Sequence, residues 1–101
     1  MEIEILYIEG CPHREETVQL VDETVERLGL DAEIVETEVA DEEQARRLGF
    51  LGSPSVRLDG EDIEPGAMAD ATVGLGCRVY ETPDGLSGTP PVEMLEAALS
   101  Q

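Results

Sequence analysis

The chain has 101 residues, 24 of them acidic and six basic, for a formal charge of −18. That length fits one domain; with 41% apolar but only 3% aromatic residues, its one modest core must be mostly Val, Leu, Ile and Ala. So negative a field repels phosphate backbones and anionic lipid surfaces, which leaves neither nucleic acid nor membrane as an expected partner.

No apolar run approaches the roughly 20 residues of a membrane helix. The start Met1-Glu2-Ile3-Glu4 is acidic and unlike a signal peptide, so the expected compartment is the cytoplasm, where thiols stay reduced. All six basic residues are Arg and Lys is absent. A high-salt interior, where an acidic surface stays soluble, or a coding bias would each account for this balance.

Ile3, Ile5 and Tyr7 alternate with Glu4 and Leu6, which predicts a first strand that ends near Gly10. Cys11-Pro12 then opens a helix, with Pro12 at the first helical position and Glu15 and Glu16 in the first turn. Val18, Val21, Val25 and Leu28 form its apolar face, Leu20 lies beside it, and Gly29 ends it. Residues 32–39 read as a second strand. Asp41 and Gln44 have capping-box spacing and start a short helix that buries Ala45 and Leu48 and stops at Gly49.

Residues 50–54 are a loop, and Ser55-Val56-Arg57-Leu58 is a third strand closed by the turn pair Asp59-Gly60. The stretch 61–75 has no clear period. Cys77 to Tyr80 reads as a fourth strand and Pro83-Asp84-Gly85 as a turn. Val92, Leu95 and Leu99 define a last helix started at Thr89-Pro90. The order is β-α-β-α-β-β-α. The first two strands are expected to be parallel and the last two antiparallel, in one mixed four-stranded sheet with helices on both faces. The fold class is α/β, as a single domain over residues 1–101.

Cys11 is the sharpest chemical feature. It lies between a strand's carboxyl end and a helix N-terminus, where functional groups gather in α/β sheets. Unpaired N–H groups, the helix dipole, His13 and Arg14 favour thiolate, the nucleophilic form; Glu15, Glu16 and the overall charge oppose it. Near contacts outweigh a distant, screened field, so a nucleophilic thiolate is the expected balance. His13, the only histidine, reads as a solvated first-turn residue or, against that, as an acid, a base or a metal ligand. Arg14 either pairs with a nearby acid such as Glu16 or holds an anionic substrate. Cys11, His13 and Cys77 lack metal-site spacing, so no metal or other cofactor is expected.

Two segments, Tyr7-Ile8-Glu9-Gly10-Cys11-Pro12-His13-Arg14 and Gly52-Ser53-Pro54-Ser55-Val56, resemble the thioredoxin-like superfamily. The first is similar to the strand–CPxC–helix site of glutaredoxin-like proteins, and the second to the segment that bears the family's cis-proline. The element order matches as well. The resemblance implies a thioredoxin-like fold, with Cys11 as catalytic thiol and Ser53, Pro54 and Arg14 lining the substrate groove. Ser53 would offer free backbone groups to an extended substrate.

Arg14 stands where the family's second cysteine would be. Cys11 then acts alone, with an external thiol such as glutathione or a protein reductant resolving its mixed disulfide, or with Cys77 assisting. A fourth strand at the sheet edge makes Cys77 a buried strand residue instead. The function implied is a small thiol–disulfide oxidoreductase. The alternatives are a non-enzymatic soft-metal or thiol carrier, an alkylmercury-lyase-like protein, or an interaction module without chemistry.

Overall fold

The computed structural model describes residues 1–66 and 74–100. The central strand β1 (Glu2–Tyr7) carries the alternation seen in the sequence. Ile3 and Ile5 project to one face, and Leu6 to the other; all three are buried. β2 (Glu33–Glu38) runs parallel to β1 in the register Glu2↔Glu33 to Tyr7↔Glu38. β3 (Ser55–Leu58) lies antiparallel on the other side of β1, with Ile5 opposite Val56. β4 (Glu61–Asp62) completes the sheet in the order β2-β1-β3-β4.

The fourth strand is therefore not the predicted one. Asp59 (φ 48°) and Gly60 (φ 90°) form a two-residue connection with both φ values positive, which folds the chain straight back on β3. The predicted strand at Cys77 to Tyr80 does not join the sheet. Tyr80–Thr82 is instead β5, which pairs antiparallel with β6 (Gly85–Ser87) in a separate hairpin. Of the illegible stretch 61–75, residues 67–73 lie outside the described residues.

Helices cover both faces. α1 (Arg14–Leu28) and α3 (Val92–Leu99) pack over Ile3, Ile5 and Val56 through Val21, Leu95 and Leu99. α2 (Glu42–Leu48) covers the opposite face, where Ala45 and Phe50 enclose Leu6 and Val39. Asp41 caps α2 by accepting a 2.8 Å bond from the Gln44 N–H, while Gln44 Oε1 accepts from the Ala40 N–H.

Two details of α1 differ from the prediction. It begins at Arg14 with His13 as N-cap, so Pro12 sits in the preceding turn and not in the helix. Leu28 is exposed, and the buried positions are Thr17, Val21 and Thr24. Each threonine hydroxyl donates to a carbonyl four residues back, to His13 at 2.8 Å and Leu20 at 2.7 Å. With its hydroxyl satisfied inside the helix, threonine presents its methyl group to the core at little cost. Among the described residues, no helix is long and apolar enough to cross a membrane.

Candidate functional site

The site forms where β1 ends. Gly10 adopts φ 77°, and the Cys11 N–H donates back to the Ile8 carbonyl at 3.2 Å. This tight turn holds Cys11 just ahead of α1, with its side chain half-buried. The Arg14 N–H reaches the Cys11 carbonyl at 3.5 Å, which continues the turn into the helix.

Ser53 and Pro54 lie beside this turn. The Ser53–Pro54 peptide bond is cis and both residues are buried. Ser53 Oγ accepts a 3.1 Å bond from the Ile8 N–H. The strand end that turns into Cys11 is thus fastened to the proline segment by a direct side-chain contact. Ile8 thus links the proline segment, through Ser53 Oγ, to the turn that carries Cys11.

The backbone of Ser53 is not free. Its N–H donates to the Gly76 carbonyl at 2.7 Å, and its carbonyl accepts from the Arg78 N–H at 3.0 Å. Together these bonds make a parallel bridge between Ser53 and Cys77. The expectation that Ser53 offers open groups to an extended substrate is corrected: the chain's own segment 76–78 occupies them. The expectation of a buried Cys77 also fails, because Cys77 is exposed and precedes β5.

Arg78 pins that segment. Its guanidinium is 7% exposed and meets Asp62, 1% exposed, through two bonds of 2.6 and 2.9 Å. It also donates to Ser55 Oγ at 3.1 Å and approaches Glu64 at 3.7 Å. Burial opposes its charge, but the bond to Asp62 and the neighbouring carboxylates outweigh burial and hold its pKa above the ordinary arginine value. Beside it, the buried Tyr80 hydroxyl donates to the Pro54 carbonyl at 2.7 Å. Burial pushes the Tyr80 phenol pKa up. Gly52 (φ 119°) completes the fit, since a Cβ there would stand 3.0 Å from that of Arg78. Sequence reasoning missed Asp62, Arg78 and Tyr80; no local pattern links residues this far apart.

Arg14 does not pair with Glu16. Its guanidinium bonds Glu36 at 3.0 Å and lies over the Tyr7 ring, 3.7 Å from the centroid. His13 packs against Gly88, just after β6, where a Cβ would collide with the imidazole. Its Nδ1 is buried without a hydrogen-bond partner, 3.7 Å from Glu16 Oε2. A cleft lined by Ile8, Glu9, Val39 and Leu75 opens beside the end of β1. Among the described residues, no group of three or more His, Cys, Asp and Glu is arranged to hold a metal ion.

A parallel βαβ start, an antiparallel hairpin, and a cysteine turn fastened to a proline segment define a thioredoxin-like α/β domain. The chain belongs to the Thioredoxin domain family, whose model matches residues 1–72. At the level of that family it is a thioredoxin-like redox protein, with thiol or protein substrates in general as its partners. No curated protein and no solved structure matches the chain. The family match stops short of Cys77, Arg78 and Tyr80.

Proposed function

We propose that the protein is a thiol–disulfide oxidoreductase that works through Cys11. Its thiolate attacks one sulfur of a disulfide substrate. A new S–S bond forms at Cys11, the substrate's S–S bond breaks, and the departing thiolate takes a proton from solvent. A second thiol then attacks the mixed disulfide and releases the other half of the substrate. The two electrons come from the thiols, and a dithiol or glutathione-type reductant in the surrounding medium restores them.

The observation that carries this reading is the Ser53 Oγ bond to the Ile8 N–H, which ties the cysteine turn to the proline segment. The engaged Ser53 backbone favours a low-molecular-weight disulfide over an extended peptide, because its N–H and carbonyl are already taken by residues 76–78. The cleft beside β1 offers apolar contact from Ile8 and Leu75. Expected reaction at Cys11 needs no metal.

The test is the reduction of bis(2-hydroxyethyl) disulfide by glutathione, followed through a coupled reductase. The wild-type protein is expected to accelerate it, and Cys11→Ser to fall to the uncatalysed background. A Cys11→Ser protein as fast as wild type would overturn the proposal, as would a wild type that does not turn over.

A further inference from the structure

We propose that Cys77 is the second thiol of this site, resolving the mixed disulfide formed at Cys11. The proposal rests on the reading of Cys11 as the attacking thiol and goes beyond it. It arises from the way residues 76–78 lie on Ser53.

The bonds from Ser53 N–H to the Gly76 carbonyl and from Arg78 N–H to the Ser53 carbonyl are those an added strand would make. The chain thus supplies its own strand at the proline segment, and the residue directly paired with Ser53 is a cysteine. Paired residues of a parallel bridge project to the same face. The Ser53 side chain on that face reaches Ile8 N at 3.1 Å, and Cys11 N bonds Ile8 O at 3.2 Å. Cys77 therefore shares the face from which the Ser53 side chain reaches Ile8, the residue that leads into the cysteine turn. Arg78, next in line, goes the other way, into Asp62 and Ser55. Cys77 is exposed and Cys11 half-buried.

The chemistry closes without further parts. After Cys11 has taken half of a small disulfide, the Cys77 thiolate attacks the Cys11 sulfur. The Cys11–Cys77 bond forms, the bond to the substrate half breaks, and that half leaves as a thiolate and is protonated. The substrate gains two electrons, and the protein is left with one intramolecular disulfide for an external dithiol to reduce. Arg14 removes the usual nearby partner, and the strand 76–78 brings one from a distant part of the chain.

The experiment is a single turnover. Fully reduced protein is mixed with one equivalent of bis(2-hydroxyethyl) disulfide, quenched in acid and weighed by mass spectrometry, with peptide mapping. Wild type is expected to end as a monomer two hydrogens lighter, with Cys11 and Cys77 joined and no adduct. Cys77→Ser is expected to stall with one mercaptoethanol on Cys11. Since a disulfide needs Cα atoms within about 7 Å, the joined peptide also measures the approach of the two segments.

A wild type that keeps its Cys11 adduct as fully as Cys77→Ser would overturn the role of Cys77 while leaving Cys11 as the nucleophile. Dimers joined through Cys77 would overturn it too. No reaction at Cys11 in either protein would overturn both readings. If Cys11→Ser takes an adduct at Cys77 faster than Cys77→Ser does at Cys11, the assignment of attacking and resolving thiol is overturned.

Discussion

Two regions meet at Ser53, and different forces hold them. The β1–α1–β2 half stands on apolar burial, with Ile3, Ile5, Leu6 and Val21 almost wholly enclosed. The segment from Cys77 to Tyr80 stands on polar contacts: Arg78 on Asp62 and Ser55, and Tyr80 on the Pro54 carbonyl. Apolar packing is non-directional and tolerates small shifts of outline. Buried polar contacts fix one arrangement and fail sharply when a partner is lost. The cysteine turn is thus built on the tolerant region, and the strand that carries Cys77 on the exacting one.

The largest test of this contrast is Arg78→Met. It leaves the Asp62 carboxylate buried without its partner, a loss of about 3–5 kcal/mol. The expected result is a lower urea midpoint together with faster alkylation of Cys77. Unchanged midpoint and labelling would show that the ion pair does not hold this strand.

Ile5→Ala strikes the other region. Ile5 is wholly buried between α1 and the sheet, and its truncation is expected to cost about 2–5 kcal/mol. The midpoint should fall here as well, without selective release of Cys77. A matching acceleration of Cys77 labelling would mean that the two regions open as one.

The smallest effect is expected from Tyr80→Phe. Removing its hydroxyl bond to the Pro54 carbonyl should cost about 0.5–1.5 kcal/mol. Its pH dependence is more telling. The folded phenol pKa is raised by burial, so its contribution is complete below the unfolded value of about 10. It is lost as pH climbs from there through the folded value. Melting temperatures of wild type and Tyr80→Phe should therefore converge above pH ~10. A constant gap across that window would contradict the buried phenol.

The same contrast governs what the sequence disclosed. Ile3, Ile5, Val21, Ala45 and Leu95 lie where local periodicity puts them. The cysteine turn and the Ser53–Pro54 segment were legible as motifs. Cys77 to Tyr80 misled because its alternation runs against hydrophobicity: Val79 is 59% exposed while Arg78 is buried. A shift of one residue in a strand exchanges its two faces, and distant partners, Asp62 and Ser55 for Arg78 and the Pro54 carbonyl for Tyr80, decide which face turns inward. β4 carried a usable signal in Asp59-Gly60, a two-residue hairpin pair. Thr17 and Thr24 gave none, since their burial depends on hydroxyl bonds that composition does not reveal.

Asp62 also separates the two regions by their response to ions. The screening length is about 8 Å at 0.15 M salt and about 3 Å at 1 M. Added salt therefore quiets the mutual repulsion among the many exposed carboxylates of a chain with formal charge −18. The Arg78–Asp62 contact, 2.6 Å long and shielded from solvent, scarcely feels it. Brine and dilute buffer would then present nearly the same fastening at Ser53, while the outer surface passes from mutually repelling to nearly indifferent. The molecule carries its ionic-strength dependence on the outside and its registration of strand against proline on the inside.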